Sequence, residues 1–115
     1  MSEFVAYLEE VFRQFGAVRA RRMFGGHGIY RDGVMFGLVA DDVLYLKADA
    51  ELRIEFEALG LEAFEYNKNG QPMKMSYFLA PDEIYEDEDA AKLWATRAFE
   101  AALRTKARKR AKPRG

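Results

Sequence analysis

Apolar residues near the start of the chain recur at the spacing of an α-helix. Positions i, i+4, i+7, i+8 and i+11 share one helical face, and here they hold Phe4, Leu8, Val11, Phe12 and Phe15. Ser2 is one of the residue types that cap helix N-termini, and Gly16 is suited to end a helix. The pattern predicts a helix over residues 3–15.

The pattern then shortens to strands separated by turn residues. The pattern predicts a strand over residues 18–24. The glycine-rich run 25–28 then interrupts the extended pattern, because glycine permits unusual backbone angles. The sequence Arg-Asp-Gly at 31–33 is typical of a tight turn. Residues 34–39 and 43–47 follow as two further strands, so the middle of the chain predicts an antiparallel meander.

The second half of the chain again contains helical patterns and strand patterns. Asp49 is a candidate cap for a short helix in which Leu52, Phe56 and Leu59 share a face. The remaining predicted elements are a hairpin of residues 63–66 and 72–79 and a helix from about residue 90 to 108. The order of helix, three strands, helix, two strands and helix is typical of the α+β class.

The final helix has an unusually broad apolar face. Trp94, Ala98 and Ala101 form one row, beside a second row that contains Phe99 and Leu103. This face is wider than packing on one sheet requires. We therefore predict an association face of Trp94, Ala98, Phe99 and Leu103, through which the chain forms a homodimer or binds another protein.

Charge is divided unevenly along the 115 residues, although the total is only −1. Without the last 12 residues the chain has 11 basic against 19 acidic residues. We predict one domain over residues 1–103 and a flexible basic tail over 104–115. The basic residues of the tail are Arg104, Lys106, Arg108, Lys109, Arg110, Lys112 and Arg114.

Several classes of protein are excluded or disfavoured by composition. The chain has no cysteine, which excludes disulfides, thiolate metal sites and cysteine nucleophiles. Residues 1–7 lack the basic flank and apolar core of a signal peptide, and no apolar run is long enough to cross a bilayer. We expect a cytoplasmic protein without membrane association.

Catalytic machinery is hard to assemble from these residues. The chain has one histidine, His27, and its serines are Ser2, near the terminus, and Ser76, in a predicted strand. A triad, a multi-histidine metal site or a phosphate-binding glycine motif each needs residues or spacings that are lacking. We predict a non-enzymatic protein without catalytic residues, cofactor or metal, with His27 an exposed turn residue.

The arginine- and glycine-rich segment is the most distinctive part of the sequence. Two interpretations are open: the arginines cover a sheet edge and pair with acidic residues, or they form an anion-binding surface beside the glycine turn. Alternation along a strand places Arg19 and Arg21 on one face and Arg22 on the other, and glycines suggest a bulge or a close backbone contact. The candidate interaction motif comprises Arg19, Arg21, Arg22, Met23, Phe24, Gly25, Gly26 and Gly28.

The same segment resembles the N-terminal domain of the TfoX family, which is named for a bacterial regulator of competence for DNA uptake. The resemblance spans roughly residues 3–103. It rests on VRARRMFGGHGIY at 18–30, DGVMF at 32–36, LYLK at 44–47, PMKMSY at 72–77 and Trp94. It implies a five-stranded, mainly antiparallel sheet flanked by helices, related in outline to small dimeric chaperone-like domains.

The function expected from this resemblance is regulation by protein association, most simply as a homodimer. Longer TfoX-type regulators carry a second, helical C-terminal domain, in whose place this sequence has the short basic tail. The alternative is a regulator that binds nucleic acid weakly and without sequence specificity, through the tail and the Arg21 and Arg22 surface.

Overall fold

The computed structural model describes residues 2–23 and 25–111, in which four strands follow the first helix and two more follow the second. The first helix ends earlier than its apolar pattern predicts, and residues 12–15 continue it as turns. The elements are α1 (Glu3–Val11), β1 (Arg19–Met23), β2 (Gly26–Arg31), β3 (Val34–Ala40), β4 (Val43–Lys47), α2 (Ala50–Ala58), β5 (Ala63–Lys68), β6 (Gln71–Leu79), a 3₁₀ turn (Asp82–Tyr85) and α3 (Glu88–Ala111).

The strands form one antiparallel sheet in the order β1-β2-β3-β4-β6-β5. The α+β class with helices beside an antiparallel sheet is confirmed, but the predicted strand number is wrong: the described sheet has six strands, not five. The glycine-rich run does not simply interrupt a strand. It contains the turn of a hairpin, in which Met23 pairs with Gly26 and Gly25 has a φ of 77°.

The core lies on one face of this sheet, and all three helices pack there. The ring of Phe12 lies 5.7 Å from that of Phe36 in β3, and the ring of Phe56 in α2 stacks on Phe78 in β6 at 5.4 Å. Trp94 in α3 lies 5.2 Å from Phe56. The helices therefore share a single aromatic core with the inner face of the sheet.

An irregularity in β3 directs Phe36 into this core. Ile29 pairs with Gly37 and Tyr30 with Met35, which leaves Phe36 without an opposite residue. Such a bulge allows consecutive side chains to depart from strict alternation. Phe36 is fully buried in the core, and Gly37, which pairs with the core residue Leu46, faces the same side, so these two consecutive residues do not alternate.

The predicted association face needs correction, because most of it belongs to the core. Trp94 and Ala98 are buried and Phe99 is half-buried against Phe15 and Phe36, so only Leu103 is exposed. The breadth of the apolar face has an intramolecular cause: α3 contacts β3, β4, the 3₁₀ turn and α2. A helix with neighbours on several sides needs a wide apolar surface.

The predicted tail begins inside α3, which continues through Ala111. Residues 104–111 are therefore helical, and the predicted boundary at residue 103 coincides with no change of secondary structure. Lys112 and Arg114 lie outside the described residues. No helix of the described part is both long enough and apolar enough to cross a membrane.

Candidate functional site

The side of the sheet that faces away from the helices, here the outer face, carries large apolar side chains. Leu38 pairs with Tyr45, and Tyr45 pairs with Leu79, so these three residues lie on the same face. Leu44 and Leu46, which flank Tyr45 in β4, face the other side and are fully buried in the helix-covered core. The ring of Tyr45 packs against Phe64 of β5 on the outer face, at 5.0 Å.

A cavity of about 220 Å³ lies on the outer face. We call it the trough. Its walls come from hairpins at the two edges of the sheet, β1–β2 and β5–β6, so the sheet must curve to bring them together. The side chains that define the trough are Met23, Met35, Leu38, Phe64, Tyr66 and Met75.

Two glycines shape the trough. A Cβ atom at Gly26 would lie 2.1 Å from the backbone oxygen of Val39, which is far closer than atoms can approach. A Cβ atom at Gly28 would lie 2.9 Å from the sulfur of Met23 and 3.1 Å from that of Met35. Gly26 permits close pairing of strands, and Gly28 leaves the space that the two methionines occupy.

Arg19 and Arg21 lie on the same face of β1 as Met23, which lines the trough, whereas Arg22 lies on the other face. Arg19, Arg21 and Arg22 are exposed, and no carboxylate of the described residues lies within ion-pairing distance of them. The guanidinium of Arg21 lies 5.6 Å from the ring centroid of Tyr30, within cation–π range. In this part of the structure, the three arginines therefore do not pair with acidic residues. Phe24, the remaining member of the motif, lies outside the described residues.

His27 lies in β2, so its predicted place as an exposed turn residue is wrong. The side chain is half-buried, and its Nε2 atom is buried without a hydrogen-bond partner among the described residues. Among residues 2–23 and 25–111, no three His, Cys, Asp or Glu side chains are grouped as a metal site would require.

Two basic residues of the predicted tail are engaged within the chain. Asp49 accepts a hydrogen bond from the Leu52 amide at 3.0 Å, capping α2, and two more from Arg104 at 2.6 and 3.2 Å. These Arg104 bonds lower the pKa of Asp49 to about 2, against the opposing effect of burial. Arg108 lies 3.6 Å from Glu51. The basic end of α3 is thereby tied to the first turn of α2.

Sequence reasoning identified Asp49 as a helix cap but missed its role as the buried partner of Arg104. It also missed the apolar walls supplied by β5 and β6. The alternation of Phe64 with Tyr66 and of Met73 with Met75 was the available signal. Nothing in the sequence indicated that Phe64, Tyr66 and Met75 would approach Met23, which lies about forty residues before Phe64.

Comparison with known proteins identifies the family. Residues 10–102 match the model of the TfoX N-terminal domain, and the chain belongs to the TfoX family. It is similar to the DNA transformation protein TfoX1 of Aliivibrio fischeri (strain ATCC 700601 / ES114), with 36% identity over 93 residues. That alignment covers 77% of this chain and 44% of the relative, so the chain spans less than half of the relative's length.

Proposed function

We propose that this chain is a regulatory domain in the control of DNA uptake, and that it acts by binding a protein partner through the outer face. Membership of the TfoX family and similarity to a protein named for DNA transformation support the process. The trough supports the mode of action, because it is apolar and lies on the face without helices.

The observation that carries the proposal is the kind of side chain in the trough. Met23, Met35 and Met75 contribute flexible thioethers, which adapt to differently shaped apolar partners. Tyr66 is 40% exposed, and the nearby Met73 is 44% exposed. Large apolar side chains grouped on an uncovered face are typical of protein-binding surfaces.

The charges beside the trough indicate the chemistry of the partner. Arg19, Arg21 and Met23 alternate along β1, which places the two arginines on the same face as a wall of the trough. Guanidinium groups beside an apolar cavity, with no ion-pair partner among the described residues, favour an amphipathic segment whose apolar residues are flanked by carboxylates. We therefore assign the trough to an acidic amphipathic segment of another protein.

A second copy of this chain is the alternative occupant. The predicted homodimer was based on the apolar face of α3, most of which belongs to the core. The dimer remains a prediction, which sedimentation of the purified 13.2 kDa chain tests. A dimer that Tyr66→Glu dissociates would replace the heterologous partner in the proposal.

The proposal is tested by transformation frequency in the source bacterium. Tyr66→Glu alters a wall of the trough and Arg21→Glu reverses the charge beside it; each should reduce DNA uptake about tenfold or more, as loss of an interface hot spot does. Leu93→Glu is the matched control, because Leu93 is 49% exposed on α3, on the other side of the molecule. The proposal fails if both outer-face variants, at normal abundance, transform like the wild type.

Nucleic-acid binding through the basic tail and the Arg21 and Arg22 surface also remains a prediction. Fewer charges of the tail are left to contact phosphates than the sequence suggests, because Arg104 and Arg108 form ion pairs with Asp49 and Glu51. Fluorescence anisotropy with labelled DNA across a salt series tests it, since phosphate contacts weaken steeply as salt rises.

A further inference from the structure

A second and larger cavity lies beside the C-terminal half of α3. It is an open groove of about 870 Å³ between the start of α2, the β5–β6 hairpin and the end of α3. Its volume lies in the range of small-molecule sites. Leu61, Ala63 and Phe78 supply an apolar part, and most of the remaining lining residues are charged.

Lys47, Lys74 and Lys109 line this cavity, which we call the lysine groove. Within the described residues, none of them has a carboxylate within 4.0 Å, although most arginines that pack nearby are paired. Within the described part of the chain, the lysine groove therefore contains ammonium groups without a close ion-pair partner, although Asp49 acts on Lys47 from a longer distance.

Lys47 is held in a defined position. Its ammonium group donates a hydrogen bond to the Ser76 hydroxyl at 2.5 Å and lies 5.2 Å from the ring centroid of Tyr77. Burial lowers the pKa of Lys47, and repulsion from Lys109 lowers it further, against a smaller opposing effect of Asp49. Two ammonium groups that repel each other across a cavity are stabilised when an anion enters between them.

Some acidic residues that line the groove already pair with arginines, so they are not the anions that would bind the lysine ammonium groups. Asp49 is bonded to Arg104, and Glu57 lies 3.8 Å from Arg53. Glu62 and Glu65 belong to the β5 side. Lys47 and Lys109 lie on β4 and α3, so they supply positive charge to the groove from elements other than β5.

We propose that the lysine groove binds a small organic phosphate, with the phosphate group between Lys47 and Lys109 and the organic part against Leu61 and Phe78. Lysine binds phosphate as a point charge. The Ser76 hydroxyl accepts from Lys47, and its own O–H remains able to donate to a phosphate oxygen. This assignment concerns a ligand and is independent of the protein partner at the trough.

The test uses the full chain, with pyrophosphate and inorganic phosphate as probes and sodium chloride at matched ionic strength as the reference. Two-dimensional NMR of the lysine side chains should show saturable shifts at Lys47 and Lys109 with pyrophosphate. Lys109→Ala should weaken pyrophosphate binding about tenfold, the usual effect of losing one hydrogen bond to a charged group. Lys106→Ala is the matched control on the same helix, because Lys106 is exposed and does not line the groove.

Lys47→Met and Ser76→Ala provide independent variants if one of them folds poorly. Each should weaken binding while Lys106→Ala retains the wild-type affinity. Equal losses for Lys106→Ala and Lys109→Ala would show binding to the general positive field and overturn the proposal, as would wild-type protein without saturable shifts. Citrate at equal charge separates phosphate from carboxylate: tighter binding of citrate would reassign the groove to carboxylates and overturn the phosphate assignment.

Discussion

The guanidinium group of Arg104 donates two hydrogen bonds to the carboxylate of Asp49, from Nε at 2.6 Å and from Nη2 at 3.2 Å. The Asp49 side chain is almost fully buried, whereas that of Arg104 is partly exposed. One carboxylate therefore caps α2 and also fixes the C-terminal half of α3 against it.

Substitutions at Asp49 should separate these two roles. Asp49→Ser keeps an oxygen for the cap and loses the ion pair, so we expect a loss of about 2 kcal/mol in the free energy of unfolding. Asp49→Ala also loses the cap, which adds about 1 kcal/mol. Urea denaturation of both variants measures the difference, and equal stabilities of the two would remove the capping role.

The same pair predicts a dependence of stability on pH. The pKa of Asp49 is about 2 in the folded chain, against 3.8 for an ordinary aspartate. A lowered folded pKa contributes stability above pH 3.8 that is lost as pH falls towards 2. With allowance for solvent around Arg104, the loss should be about 1–2 kcal/mol between pH 5 and 2.

Comparison of the wild type with Asp49→Asn isolates this effect. Glu88, whose pKa is also lowered by hydrogen bonds from Arg13 and Gln14, is present in both proteins and cancels. The stability difference between the two proteins should shrink as pH falls from 5 to 2. A difference that stays constant over this range would show that Asp49 titrates normally.

Gly26 and Gly28 should respond differently to alanine. At Gly26 the new methyl group meets backbone oxygen, which cannot move without breaking the β2–β3 pairing, so we expect a loss of about 3 kcal/mol. At Gly28 it meets side-chain atoms that can shift, namely the sulfur atoms of Met23 and Met35 and the ring edge of Tyr30 at 2.9 Å, and a loss of about 1 kcal/mol is expected. Thermal unfolding should rank Gly26→Ala well below Gly28→Ala; the reverse order would contradict the strand register.

Ala98→Leu tests the corrected role of α3. Ala98 is fully buried, so the larger side chain should overpack the core and destabilise the fold by about 1–3 kcal/mol. Leu103→Ala, at the exposed member of the former association face, should change stability by less than about 0.5 kcal/mol. Unchanged stability in Ala98→Leu would show that Ala98 is not packed in the core and would restore its place in the predicted association face.

Local patterns predicted the helices better than the sheet. Periodicity placed Leu8 and Phe56 on buried helix faces, and Asp49 marked a helix start, because neighbours in sequence decide these features. The glycine run could be a bulge or a hairpin turn, since glycine permits both. The choice depends on whether β1 and β2 pair with each other, and the local pattern of residue types does not settle that pairing.

The candidate site was predictable only in part. The arginines and glycines near residue 21 were visible as a motif, but the trough also needs Phe64 and Met75 from the far edge of the sheet. Sequence alone likewise could not distinguish an apolar helix face that binds a partner from one covered by the chain itself. Trp94 illustrates this, because its indole N–H donates to Glu83 of the same chain at 2.7 Å.

The position of β1 at the end of the strand order gives its arginines a further consequence. An edge strand presents unpaired backbone groups to any other extended chain, and charged side chains are a common protection against such addition. Arg19, Arg21 and Arg22 place three like charges on this short edge strand. Two molecules that approach edge to edge through β1 would bring these charges together, so the motif also protects the chain against aggregation.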